Sequence, residues 1–192
     1  MILFIDTETT GLPENWKAPA SDTGNWPRMV QIAWMLADTT GKEIAAANRI
    51  IKPEGFSIPA DASRIHGITT ALANQTGIAL IEALGEFSEI MQQAGLVVAH
   101  NIAFDEKVIG AEYIRSGKTD LMSDARKLCL MKAATEYCRL PGKYGYKWPS
   151  LKEVHTVLFD QSPENLHNAD SDMRICARCY YELRKRQVIE ET

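Results

Sequence analysis

The chain opens MILFIDTETTGLP, and the step from ILFI into DTE constrains its fold more than any other feature. An apolar run only a few residues long, followed by turn residues, reads as a strand buried on both faces. Side chains alternate along a strand, so Asp6 and Glu8 share one side while Thr7 points to the other. Two like charges on one face repel, and leaving water makes both more costly. Either something positive sits between them, or Asp6 merely ends the strand and Glu8 is solvated in the turn before Gly11. The rest of the chain has to decide.

Further strands and helices follow in an order that fixes the fold class. Residues 11–26 form a loop rich in Pro, Asn, Ser and Trp, and RMVQIAWMLA (28–37) reads as a second strand. A turn at 41–43 leads into a third strand over 43–53, an antiparallel hairpin-like start. Short helical pieces are expected over 61–76. Apolar residues at 80, 84, 87 and 91 mark an amphipathic helix over 79–93. LVVAH (96–100) is another buried strand, and Asn101 is positioned to cap the helix holding Phe104, Val108 and Ala111. The segment 121–160 reads as helices joined by a Gly-Tyr-Lys-rich loop. A last helix from about Asn168 carries Met173, Cys176, Ala177, Tyr180 and Leu183 on one stripe. This order predicts an α/β fold, a central mixed sheet flanked by helices, within one domain over residues 1–192. In such sheets a site lies at the carboxyl edge of the strands, where Asp6 and Glu8 belong.

Two later segments hold acids in equally odd positions. In HNIAFDEKV, Asp105 lies one turn into a helix that starts at the end of a buried strand. In HNADSD, His167 stands just before a helix and Asp172 falls in its second turn. In regular helix, five steps of ~100° would leave these two about 140° apart. His167 therefore belongs to the preceding loop if they converge. Asp170 has a plainer role, since acids near a helix N-terminus are favoured by the macrodipole.

DTETTGL at 6–12, IHGIT at 65–69, HNIAFD at 100–105 and HNADSD at 167–172 resemble, in order and spacing, the motifs of the DEDDh 3′→5′ exonucleases. That family includes the proofreading subunit of bacterial DNA polymerase III and has a ribonuclease H-like fold. The resemblance runs from residue 2 to about 185. A sister subclass with a catalytic tyrosine would want Tyr at 168, which is Asn here, so the histidine variant is favoured.

The resemblance implies that Asp6, Glu8, Asp105 and Asp172 hold two divalent ions, with Asp6 bridging them. Oxygen-only ligands suit Mg²⁺ or Mn²⁺ rather than zinc. His167 is implied as the general base, and an imidazole with its ordinary pKa near ~6.5 suits that task at neutral pH. Thr9, Leu12, Ile65 and His66 are implied as the lining for the terminal nucleotide, with Leu12 wedged between the last two bases. Asn101 contributes through its cap or a hydrogen bond near the site. His100 and His155 read as structural. The implied activity is release of nucleoside monophosphates from a single-stranded or frayed 3′ end of DNA. RNA trimming of the oligoribonuclease or ribonuclease T kind is the nearest alternative. A silent nucleic-acid-binding module attached to a polymerase is the alternative of another class, and the complete set of acids and histidine speaks against it.

Charge and composition are compatible with this reading. The net charge is −4, but residues 115–152 hold nine basic side chains against three acids, a surplus of 6 that leaves −10 elsewhere. An acidic body with a basic strip can guide a polyanion toward a metal site. KYGYKW (143–148) interleaves cations and aromatics as single-strand-binding surfaces do. It reads equally as a surface loop whose Tyr and Trp pack on the core. Four cysteines, with Cys176 and Cys179 read as buried thiols, fit a reducing compartment. The start lacks a basic leader, and no segment approaches the ~20 apolar residues of a membrane span. A cytoplasmic protein with no membrane partner is expected, working alone or as a polymerase subunit held by its folded surface.

Overall fold

The computed structural model describes residues 1–164 and 166–190. Its centre is a five-stranded sheet of order β3-β2-β1-β4-β5. Strand β1 spans Ile2–Thr9, β2 Met29–Ala37, β3 Glu43–Ile50, β4 Leu96–Ala99 and β5 Lys127–Cys129. The pairs β1/β2 and β2/β3 are antiparallel, whereas β1/β4 and β4/β5 are parallel. The mixed sheet expected from the order of elements is therefore present.

Register explains where the acids stand. Strand β1 pairs with β2 along its whole length, from Ile2 opposite Ala37 to Thr9 opposite Met29. Its pairing with β4 is confined to Ile2, Leu3 and Phe4. The carboxylates are thus inside β1, not beyond it. They lie on the part of the strand that overruns its parallel neighbour, at the sheet's carboxyl edge.

Alternation along the strands sorts the core into two layers. Leu3 and Ile5 pack with Trp34 and Val97 against α3 (Leu80–Met91) and α4 (Ile102–Arg115). Ile2 and Phe4 pack with Met35 and Val98 against α5 (Leu130–Cys138), α6 (Leu151–Phe159) and α7 (Ala169–Lys185). Helix α3 buries Leu80, Leu84, Phe87 and Met91, the four positions its periodicity marked, together with Ala83 and Ile90. Helix α6 starts with a capping box in which Ser150 and Glu153 satisfy each other's backbone N–H groups. Such an N-cap contributes about 1 kcal/mol. The whole apolar stripe of α7 is buried, and Tyr180 meets Phe4 edge-on at 5.3 Å between ring centroids. A smaller cluster of Val30, Ile58, Ala62, Ile68 and Ala73 seats α1 (Ala60–His66) and α2 (Thr70–Thr76).

Several local expectations need correction. Residues 127–129 of the segment read as helices form β5, an edge strand too short for any periodicity to register. The Gly-Tyr-Lys loop contains a small hairpin, β6 (Pro141–Gly142) with β7 (Gly145–Tyr146). Strand β3 stops at Ile50; beyond it Ile51 donates its N–H to the Val30 carbonyl of β2 and also bridges Ile78. Asn101 precedes α4, but its side chain makes no cap hydrogen bond; its backbone is left-handed, φ 63°. The four cysteines are free, and Cys176 and Cys179 are buried as expected. Among the described residues no helix is long and apolar enough to cross a membrane.

Candidate active site

Three elements deliver the acids, and they do so from both faces of the sheet. Asp6 and Glu8 face the α7 layer, as the buried even-numbered residues Ile2 and Phe4 require. Asp172 closes the first turn of α7 rather than opening its second, and one oxygen from each of these three carboxylates lies within 4.8 Å of the others. Thr7 faces the opposite layer, where Asp105 sits buried in the first turn of α4. The Thr7 hydroxyl donates a 2.8 Å hydrogen bond to Asp105 Oδ1. The residue between the two strand acids therefore holds the third.

The start of α7 is fastened just as specifically. Asn168 caps it by accepting from the N–H groups of Asp170 and Ser171. The Ala169 N–H donates to Oε1 of Gln31, a fully buried residue of β2 standing opposite Glu8. His167 lies in the preceding loop, as the helix geometry demanded, with φ 68°. Its N–H donates to Asp172 Oδ2 at 3.1 Å and its side chain is exposed. Asp170 is engaged by Arg174, in keeping with its reading as a helix-end charge. His155 is structural: its ring bonds the Gln161 carbonyl and meets Arg178. His100, at the end of β4, has its pKa pushed down to about 4 by burial, with the Pro149 carbonyl against its ring.

The electrostatics call for a cation. Burial, then the charges of Asp105, Asp172 and Glu8, raise Asp6 well above the carboxylate range. Glu8 is raised to about 7 by burial and then by Asp172 and Asp105. Burial also raises Asp105 to about 7, against the opposing Thr7 hydrogen bond. Asp172 is raised by burial as well, partly offset by the His167 N–H. Among the described residues no lysine or arginine pairs with any of the four. Glu112 makes the contrast: it is fully buried, yet Arg28 and Arg115 lie 2.9 and 3.1 Å away. The fold thus supplies arginine to a structural acid and none to this cluster. Asp172 Oδ1 is moreover buried with no hydrogen-bond partner. An all-oxygen donor set with one unsatisfied oxygen fits a hard divalent cation.

A pocket of about 470 Å³ adjoins Glu8. Four of the residues expected to hold a nucleotide line it, namely Thr9, Leu12, Ile65 and His66. Leu12 and Ile65 are exposed at its rim, 73% and 61%. His66 is both the last residue of α1 and buried; its Nδ1 accepts from the Ile68 N–H, and burial lowers its pKa. Asn101, the fifth, does not line this pocket. Phe104 does, and it was missed as a site residue because its helical spacing reads as core. Trp16 packs on Phe104 at 5.7 Å, which brings the 13–27 loop beside the pocket. Arg115 pins that loop by donating to the carbonyls of Thr23 and Trp26. Gly110 lets it approach, since a Cβ there would stand 3.0 Å from that of Ala20. Thr7 and Gln31 were missed as well, although Gln31, the lone polar residue inside the buried strand β2, was an available signal.

Beyond this geometry, a model of the exonuclease family RNase_T matches residues 3–180. The chain belongs to this family of exonucleases. RNase_T exonucleases lie within the DEDDh superfamily and depend on divalent metal, for which Asp6, Glu8 and Asp172 form a carboxylate cluster. This exonuclease is 31% identical over 181 residues to the uncharacterized exonuclease CP81 of Escherichia phage 186, covering 90% of this chain and 82% of that relative. Its fold is similar to that of E. coli exonuclease I in complex with a dT13 oligonucleotide, with TM-score 0.77 and 20% identity over 97% of this chain. Exonuclease I from Methylocaldum szegediense gives TM-score 0.70 at 21% identity, again over 97% of this chain. The chain spans about two fifths of those exonuclease I chains, 41% and 40%. The ribonuclease H-like fold implied by the motifs is thereby established.

Proposed function

We propose that this exonuclease works 3′→5′, releasing nucleoside monophosphates from a single-stranded or frayed 3′ end of DNA. The observation that carries the reading is the juxtaposition of two things: three carboxylate oxygens within 4.8 Å of one another, and a pocket of about 470 Å³ that shares Glu8 with them. Asp6, Glu8, Asp105 and Asp172 would hold two divalent ions, Mg²⁺ or Mn²⁺. When bound, such ions lower the pKa of a water and stabilise charge on the leaving oxygen. The direction and the two-ion stoichiometry rest on the resemblance of the four motifs to DEDDh exonucleases. The preference for DNA is supported by the oligodeoxynucleotides held by the similar exonuclease I structures.

The chain's own residues divide the remaining work. The pocket takes the terminal nucleotide, Leu12 separates its base from the next, and the backbone near Thr9 receives the 3′-hydroxyl. His167 accepts a proton from the water whose oxygen bonds to phosphorus. The bond from phosphorus to the upstream 3′-oxygen breaks, leaving a shortened 3′-hydroxyl end and a 5′-monophosphate. The exposed loop position of His167 suits a base that returns its proton to solvent. Residues 1–192 act as one exonuclease domain, and free cysteines suit the cytoplasm.

The test compares 3′-labelled and 5′-labelled single strands of DNA and RNA of matched sequence, with Mg²⁺, Mn²⁺ or EDTA, for the wild type and Asp6→Ala. Labelled mononucleotide from the 3′ end, a ladder from the 5′ label, and loss of both with EDTA or Asp6→Ala are expected without any polymerase present. A faster rate on RNA would move the substrate to RNA. Cleavage by the Asp6→Ala protein would refute the site.

A further inference from the structure

The β6–β7 hairpin and the residues after it carry a surface that catalysis at the acids does not use. Packing on the core, one reading of KYGYKW, is excluded by exposure. Tyr144 is 91% exposed, Trp148 63% and Tyr146 45%. Three aromatic rings turned to water within five residues demand a partner, since buried area is what such side chains contribute. Cations attend two of them: Lys143 lies 5.1 Å from the Tyr144 ring and Lys132 lies 5.8 Å from Trp148. Among the described residues neither lysine forms an ion pair. Lys147, by contrast, is tied to Glu153.

Strand register brings this surface to the edge that holds the acids. Phe4 is opposite Val98, so Asp6 stands level with His100, two residues on in both strands. Ala99 is opposite Cys129, so the same level falls at the first residue of α5, two residues before Lys132. Two strand spacings separate β1 from β5, about 10 Å. The Pro149 carbonyl lies against the His100 ring, which ties Trp148 to the same edge. The nucleotide pocket, built from β1 and α1, lies on the other side of the acids. A strand with its last nucleotide in the pocket would cross the acids and leave toward the hairpin.

We propose that the β6–β7 hairpin with Trp148 is the track for the single-stranded polynucleotide upstream of the cleaved bond. Tyr144 and Trp148 stack on its bases, while Lys143 and Lys132 contact its phosphates. Stacking tolerates any base, so the track adds affinity without sequence preference. It rests on the nuclease reading above, because it assigns the hairpin to the substrate of that site.

Binding without cleavage tests it. A 5′-fluorescein oligothymidylate of about 15 nucleotides is titrated in EDTA and followed by anisotropy. Tyr144→Ala and Trp148→Ala are each expected to weaken binding about 5- to 100-fold, and Tyr144→Phe and Trp148→Phe to restore most of it. Lys143→Ala and Lys132→Ala should each reduce the slope of log K against log salt by about 0.7. Melting temperatures equal to wild type exclude a folding defect. Affinity unchanged in both alanine variants, with wild-type cleavage intact, overturns the track and leaves the nuclease reading standing. Weakened binding in a protein that never cleaves a 3′ end overturns the nuclease reading, and with it the hairpin as a substrate path.

Discussion

Thr7 shows how much a site can owe to a side chain that carries no charge. Its hydroxyl is the one side-chain donor to Asp105 among the described residues, and it opposes the burial that raises that carboxyl. Thr7→Val keeps the shape and removes the donor, leaving a buried carboxylate short of a hydrogen bond at a cost of about 1–3 kcal/mol. The variant is expected to melt earlier in urea and to have its acid limb of activity moved to higher pH. A wild-type pH–rate profile would show that Asp105 needs no help. His167 bears on chemistry more directly. His167→Ala should lower turnover about 10²–10⁴-fold while oligonucleotide affinity in EDTA stays near wild type. A drop in affinity with turnover preserved would mean that it holds substrate instead.

Among the elements, α4 does two jobs at its two ends. Its first turn presents Asp105, and its last holds the 13–27 loop through Glu112 and Arg115. Glu112 Oε1 accepts from the Met29 N–H and from Arg28 while Arg115 reaches the loop carbonyls, so one buried acid ties helix, strand and loop together. Glu112→Ala strands two guanidinium groups that water reaches only in part. Losing one partner of a buried ion pair costs about 3–5 kcal/mol, and the lower end applies because Arg28 retains contact with solvent. Chemical denaturation should report that loss. KM should rise too, because Trp16 would no longer be held against Phe104 at the pocket. An unaltered KM would detach the loop from substrate binding.

At the scale of the molecule, the unpaired acids make metal-free stability depend on pH. Glu8 and Asp105 have folded-state pKa values near 7, above their unfolded values near ~4. Between those values the native state holds more protons than the unfolded one. Their contribution to stability therefore falls as pH rises from about 4 to about 7, and Asp6, raised well above the carboxylate range, acts in the same direction. In EDTA the melting temperature should decline across this window. Mn²⁺ should reverse the decline, because it binds the charged acids of the native state only. At a hundred times its Kd a ligand adds about 2.7 kcal/mol, or about 5–10 °C for a chain of this length. A melting temperature that ignores both EDTA and pH would mean that the four acids do not form one site.

Much of this was legible in the residues themselves. The period of a strand set Asp6 and Glu8 on one side of β1, and the period of a helix required His167 to lie outside α7. Apolar spacing marked the buried faces of α3 and α7. These are local rules, because direction within an element depends only on its own backbone. Other features depended on partners far away in sequence. Asp105 meets Thr7 across 98 residues, and Gln31 holds Ala169 across 138. Neither pairing has a periodic signature, since each follows from strand register and from which layer a helix joins. The three-residue β5 exists only because β4 offers it a ladder. The sequence by itself determined the elements, their buried sides and the identity of the acids. Only the tertiary structure decided that acids from opposite layers meet at one edge, because convergence is set by packing between elements rather than by conformation within them.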